Sequence, residues 1–300
     1  MITYPRGVPK LRDELIETWQ TYGKTMIQKP GDASPEGEIK SLRQAELIWV
    51  AADMCRLWNV AEKSLPTDAV LDMEDLPSDF GFIVLEEPLD SIDSVRAEEE
   101  RMRIRAFSWS MARVEGDFAV HLAFYMDVDR FPTLKPAGYR GNLVYTGNSE
   151  WFFKTRVDDF TNKAYANREL FPGGGPPQRA MDSMTEDRRR LATLLLLLRQ
   201  PIVVDSVSKP LRQEARQAIR KKQIAPDVRV LTLREKRYKK DESDEHHAVD
   251  WSHRWMVDGH WRWQWYPSQE THKRIWIFAY QKGPEDKPLI IRPTVRAWRR

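Results

Sequence analysis

The sequence predicts an α+β protein, with N-terminal helices packed on an antiparallel sheet, a helical connector, and a small C-terminal antiparallel β-domain (a twisted sheet or barrel). Three observations predict it. Apolar residues recur at helical spacing up to residue 64, alternation of period two takes over between 80 and 130, and aromatic residues crowd the chain after 249. The divisions follow as 1–170 for the α+β domain, 171–222 for a Gly/Pro linker and helical connector, and 223–300 for a basic, aromatic-rich β-domain. With 12 Trp, 11 Phe and 9 Tyr in 300 residues, material for a core is ample.

Residues 10–29 and 37–64 read as helices. In the second, Leu42, Ala45, Ile48, Trp49, Ala52, Cys55 and Leu57 fall near one face, and Pro30, Gly31 and Pro35 punctuate the gap before it. Cys55 is the single cysteine, so no intrachain disulfide is possible, and its apolar setting marks a structural thiol. The runs "FGFIVLEEPL", "MRIRAFSWSMARV" and "DFAVHLAFYMDV" then read as strands, the last two joined at Glu115-Gly116-Asp117. A meander with helices on one of its faces follows. His121 shares a face with Ala123 and Tyr125, where a hydrogen-bonded structural histidine is the default. Asp127 and Asp129 lack a third carboxylate partner and predict no metal site.

"FPGGGPPQ" at 171–178 breaks the chain, and without a following Gly-Lys-Ser/Thr it is no phosphate loop. Ser183 and Glu186 fit a capping box for a helix ended by Pro201, whose run Leu194 to Leu198 is apolar all round. A second helix from Pro210 turns Leu211, Ala215, Ala218 and Ile219 inward. It sets Arg212, Arg216 and Arg220 in a basic stripe that Lys221 and Lys222 extend. The pair invites a helix-turn-helix reading, but its connection, "QPIVVDSVSKP", is longer than the usual turn, and a solvated surface helix fits at least as well.

Charge is uneven. Residues 201–300 hold 22 Lys and Arg against 13 Asp and Glu, a balance of +9, while residues 1–200 hold 26 against 32, a balance of −6. That asymmetry fits a polyanion-facing C-terminal third, or attraction between two lobes. The N-terminus has no apolar h-region, and the longest apolar run, about 8 residues, is well short of the roughly 20 that span a bilayer. A cytoplasmic protein with no membrane contact is expected.

The densest stretch is "VDWSHRWMVDGHWRWQWYP", 249–267, with five tryptophans, two histidines and two arginines. Residues 228–238 alternate as a strand before it. Asp258-Gly259 is a strong two-residue hairpin signal, which sets Trp255 across from Arg262, His253 across from Gln264, and Trp251 across from Tyr266. One face then carries Trp251, His253, Trp255, His260, Arg262, Gln264 and Tyr266; the other carries Ser252, Arg254, Met256, Trp261, Trp263 and Trp265. "RIWIFAYQ" and residues 228–236 complete a small sheet.

Several readings fit these residues. In the plainest, Trp261, Trp263 and Trp265 are core. In the leading functional one, RNA or single-stranded DNA binds the C-terminal third. There Trp255, Tyr266 and Trp276 stack on bases, and Arg254, Arg262, Lys273 and Arg274 hold phosphates, with Arg212, Arg216 and Arg220 as a further basic surface. The alternative is a metal-independent ribonuclease of the toxin or phage-defence type. It would use His253 and His260 as acid and base, Arg262 on the phosphate, and Tyr266 beside them. A third reading is a protein-interaction module, adaptor or inhibitor, since Trp, Tyr and Arg are also hot-spot residues. The spacing of His253, His260 and His272 matches no zinc motif, so neither metal nor cofactor is expected, and the sequence sets no oligomeric state.

"HRWMVDGHWRWQWYPS" at 253–268, "IWIFAYQKGPEDKPL" at 275–289, "LLLLLRQPIVV" and "DFGFIVLEEPL" are similar to segments of uncharacterised proteins of actinobacteria and their phages. The resemblance implies an actinobacterial or phage cytosolic setting and carries over no residue role.

Overall fold

The computed structural model describes residues 4–26, 34–70, 72–90, 103–114, 117–128, 138–139, 141–153, 178–220, 226–234, 253–284 and 287–290. The chain divides into two compact units, Met1–Arg234 and Glu235–Arg300.

The first unit holds helices α1 (Val8–Met26), α2 (Pro35–Gln44), α3 (Ala52–Lys63), α4 (Gln178–Leu198) and α5 (Arg212–Arg220). Its strands are β1 (Glu46–Val50), β2 (Phe80–Asp90), β3 (Arg103–Val114), β4 (Asp117–Asp127), β5 (Leu143–Phe152), β6 (Val203–Ser208) and β7 (Val228–Leu233). They form one seven-stranded mixed sheet in the order β5-β4-β3-β2-β1-β7-β6. From β2 to β5 the neighbours are antiparallel, as the meander requires, and β3 meets β4 with Val114 opposite Asp117. β1 lies parallel to both β2 and β7. The α+β class is therefore the observed one, with a mixed rather than a purely antiparallel sheet.

Four sequence expectations are corrected. The helix expected over 37–64 is two helices flanking β1. Leu47, Ile48, Trp49 and Val50 are all buried, because a central strand covered on both faces needs apolar side chains on each. Helices cover both faces of the sheet, not one. Val8, Leu11, Leu15 and Trp19 of α1 and Leu42 of α2 pack on Leu47, Trp49, Phe82, Val84, Ala106 and Tyr125. The alternate residues face α3 and α4, where Trp58 meets Phe107 edge-on with ring centroids 6.0 Å apart, a favoured geometry for aromatic pairs, and its Nε1 donates to the Arg190 carbonyl at 2.9 Å. The connection "QPIVVDSVSKP" contains β6, an edge strand paired antiparallel to β7, so α4 and α5 form no helix-turn-helix. Finally, β7 pairs with β1 and β6 in the large sheet rather than with the aromatic hairpin, so residues 223–234 go with the first unit.

Helix α4 begins at Gln178, which puts Ser183 inside it rather than at its cap, while Leu194, Leu195 and Leu197 are buried as its composition demands. The Gly/Pro run at 171–177 and the connecting residues 115 and 116 lie outside the described residues. Burial pushes the Cys55 thiol up to about 12, as befits a structural cysteine. Asp127 binds the buried Arg105 at 2.9 Å.

Beneath α2 sits a buried polar cluster. Glu38, 2% exposed, accepts hydrogen bonds from the Tyr125 hydroxyl at 2.9 Å and the Ser108 hydroxyl at 3.0 Å. His121 Nε2 lies 3.3 Å from its other oxygen, a structural role for that histidine. Surrounding donors of this kind are what let a carboxylate remain in an apolar layer.

No helix among the described residues is long and apolar enough to cross a membrane.

Candidate functional site

The described residues of the second unit form a long β-hairpin. Its arms are β8 (Trp255–Val257) running into β9 (His260–Tyr266), and β10 (Thr271–Ile277) running into β11 (Tyr280–Lys282). β9 pairs antiparallel with β10 from Tyr266↔Thr271 to His260↔Ile277, and β8 pairs with β11 from Val257↔Tyr280 to Lys282↔Trp255. The two ladders share one register, interrupted only at 258–259 and the facing 278–279.

The reversal of the chain thus falls at 267–270, not at Asp258-Gly259 as the sequence predicts. Pro267–Gln269 form a 3-10 turn, and Glu270 closes it in the left-handed region at φ 47°. Such four-residue loops are common in hairpins. Gly259 has no positive φ. Its role is clearance, since a Cβ there would lie 2.6 Å from Cζ2 of Trp276. At the base of the hairpin, the Arg254 amide donates to the Pro288 carbonyl at 2.8 Å and the Ile290 amide donates to Arg254 at 2.9 Å. Gly283, at φ +111°, passes close to the His253 carbonyl, where a Cβ would approach to 2.7 Å.

Cross-strand partners share a face. One face of β9–β10 therefore pairs Trp261 with Trp276, Trp263 with Arg274, and Trp265 with His272. The rings of Trp261 and Trp276 meet edge to face at 5.3 Å, and the Arg274 guanidinium lies 4.7 Å from the centre of Trp263. His272 stands 4.8 Å from Trp265 and 6.3 Å from Trp263. Exposure is lowest at the end of this ladder far from the turn and greater in its turn-side half. Trp276 is 5% exposed, Trp265 44% and Trp263 56%.

The opposite face carries His260, Arg262, Gln264 and Tyr266 beside Thr271, Lys273, Ile275 and Ile277. Arg262 and Lys273 are exposed, and the Lys273 ammonium sits 5.6 Å from the Tyr266 ring centre.

The sequence-predicted residues are thereby re-sorted. Trp276, expected to stack on bases, is buried against Trp261 and Gly259. Trp263 and Trp265, expected in the core, are open to solvent. Arg274 and Lys273 are on the hairpin as expected, but on opposite faces. Arg254, expected to hold phosphate, spends its Nε on the Lys287 carbonyl at 2.8 Å. Trp255 is half-buried on β8, 5.9 Å from the His253 ring.

The facing of Trp255 on Arg262 and of His253 on Gln264 is not formed, because the partners of Arg262 and Gln264 are Ile275 and Lys273. Strand pairing therefore does not gather His253 with His260, Arg262 and Tyr266. His260 Nδ1 instead lies 2.9 Å from the Asp258 carbonyl oxygen. No group of three or more His, Cys, Asp or Glu close enough to hold a metal occurs among the described residues. Residues Trp251, Arg292, Arg296, Arg299 and Arg300 lie outside them.

In the first unit, Arg212, Arg216 and Arg220 are all exposed on α5. Leu211 and Ile219, expected to face inward, are 48% and 72% exposed.

No protein-family model and no curated protein matches the sequence. Among solved structures the chain is similar to the crystal structure of AcrVA2, at 15% identity and a TM-score of 0.40, over 92% of this chain and 86% of that one. A likeness that weak assigns neither partner nor activity to this chain.

Proposed function

We propose that the protein binds single-stranded nucleic acid, RNA or DNA, through the open aromatic face of its C-terminal hairpin. The observation that carries this reading is the joint exposure of Trp263 and Trp265 on one face, with Arg274 and His272 as their cross-strand partners. Bases stack on exposed rings at about 1–3 kcal/mol each, whatever their identity, because every base has a π-face. Arg274 supplies a cation on the ring face, and the exposed Arg262 and Lys273 on the opposite face add positive charge to the hairpin. The exposed Arg212, Arg216 and Arg220 add to the positive field that draws a polyanion to the molecule.

The test mixes the full chain with labelled single-stranded and duplex RNA and DNA in EDTA, read on native and denaturing gels. Shifted but intact single strands support the proposal. Each phosphate neutralised contributes about −0.7 to the log–log salt slope for a single strand, and a flat salt response sinks the reading. RNA cut in EDTA would replace it with a ribonuclease, with His253 and His260 as the first residues to substitute. A complex with a protein that survives nuclease and high salt, with no nucleic acid bound, would replace it with an interaction module.

A further inference from the structure

The distal half of the hairpin is open on both faces. Trp263, Trp265 and His272 are exposed on one side, and Arg262 and Lys273 on the other. Among the described residues neither side of this half packs as a core, and the two differ in chemistry. One presents rings; the other presents cations without large exposed rings.

The rings are also partly occupied. Arg274 covers Trp263 at 4.7 Å, and His272 leans over Trp265 at 4.8 Å and 50°. Each ring is thus covered from one side, while Trp263 and Trp265 keep 56% and 44% of their surface in water. A ring covered from one side can cap the end of a base stack, but it cannot be threaded between successive bases of a strand. Stack ends are scarce on a long single strand and unavoidable where a duplex terminates. Meanwhile a single strand lying on the ring face leaves Arg262 and Lys273 without a phosphate.

We infer that the preferred ligand of this hairpin is a junction between paired and unpaired nucleic acid, with one ring of the Trp263–Trp265 pair capping the last base pair and Arg262 and Lys273 holding the phosphates of the departing strand. The inference rests on the nucleic-acid reading above and narrows its ligand. A two-stranded ribbon suits the position. Paired strands lie about 4.8 Å apart, and packed sheets are spaced about 10 Å face to face, so the ribbon is a thin divider with two usable sides.

The experiment compares three labelled probes of matched sequence: a forked duplex with two unpaired arms, the blunt duplex, and the single strand, each as DNA and as RNA. Anisotropy titrations use the full chain, wild type and two double variants, Trp263→Ala/Trp265→Ala and Arg262→Glu/Lys273→Glu, with far-UV circular dichroism to confirm the fold. The fork is expected to bind at least tenfold tighter than either other probe. The tryptophan variant should lose the preference for fork over single strand. The charge variant should bring the fork down to the blunt-duplex affinity. Equal affinity for single strand and fork overturns the junction inference and leaves single-strand binding standing. Failure of all three probes overturns both. If one face's variant is silent on the fork while the other abolishes binding, the two-sided placement is wrong.

Discussion

Replacing Trp263 and Trp265 with alanine is the most direct perturbation of the proposed surface. Each lost stack is worth about 1–3 kcal/mol, or about 5- to 150-fold in Kd. Trp263 should cost more than Trp265, because its ring also holds the Arg274 guanidinium at 4.7 Å. A cation–π contact at an exposed site adds about 0.5–1 kcal/mol. Adjacent sites do not add cleanly, so the double variant is expected to lose about 25-fold or more, rather than the product of two upper limits. With 56% and 44% of their surface already in water, the two rings contribute little to the core, and the fold should survive. The assay is an anisotropy titration of a labelled single strand at two salt concentrations, with circular dichroism on the same samples. A folded double variant that binds as wild type does would refute the stacking model. Trp276→Ala is the contrasting control. That ring is buried, and its truncation should cost about 3–5 kcal/mol and take the hairpin's structure with it.

Substitutions at three further positions test the fold of each unit. Burial pushes the Glu62 carboxyl up to about 7 from its ordinary 4.5, against the pull of Arg190. The folded chain then keeps a proton that the unfolded chain releases, so stability should fall as pH rises from 4.5 through 7, and Glu62→Gln should flatten that slope. Denaturant titrations on either side of the window decide it, and parallel profiles for the two proteins would contradict the assignment. Tyr125→Phe removes a donor from the buried Glu38 carboxylate and should cost about 1–3 kcal/mol by urea midpoint. A loss below about 0.5 kcal/mol, within ordinary surface variation, would mean the cluster re-pairs. Gly259→Ala and Gly259→Asn should both damage the hairpin, by about 1–3 kcal/mol, because either side chain meets Trp276. A harmless asparagine, read by near-ultraviolet circular dichroism, would restore the two-residue turn.

The parts of the fold that were legible in sequence are those with one periodicity and one buried face. α1 kept its helical spacing, and β3 and β4 were visible through alternation and their short connection. β1 was not visible. "ELIWV" is apolar at every position after the first because both sheet faces are covered, and such a run cannot be distinguished from part of a helix by period. β6 was hidden in a connection because an edge strand needs little burial, and residues 205–207 are exposed. β5 carries Gly147, Asn148 and Ser149 within its pairing with β4, a composition that reads as a loop.

The hairpin failed in sequence for a different reason. Asp-Gly and Pro-Ser-Gln-Glu are both admissible turns, and local chemistry ranks the first higher. What decides is the partner of Trp276. Placing the turn at 267–270 gives that ring a cross-strand neighbour in Trp261 and room over Gly259, which only the three-dimensional pairing reveals. The misplaced turn moved every facing pair and kept each strand's alternation. The β9 face of His260, Arg262, Gln264 and Tyr266 was therefore read correctly, and its partners were not.

The same ladder explains how an open aromatic surface persists on so small an element. A lone two-stranded hairpin is marginal in water, and cross-strand pairs contribute roughly 0.2–1 kcal/mol each. Here stability is concentrated at one end. Trp276 is buried between Trp261 and Gly259, and the backbone of residues 288–290 clasps Arg254 below it. The far end, from Arg262 to Arg274, is held by an Arg–Trp pair and a His–Trp pair, which fix the rings without covering them. Rings ordered in advance lose less conformational freedom on contact with a ligand, which favours affinity without added area. Division of labour along one ladder therefore predicts that substitutions separate by position. Those at Trp261, Trp276 and Gly259 should act on folding, and those at Trp263, Trp265 and His272 should act on binding. A binding loss at the second set that always tracks a loss of fold would mean the tip is merely frayed core and the exposed rings have no ligand.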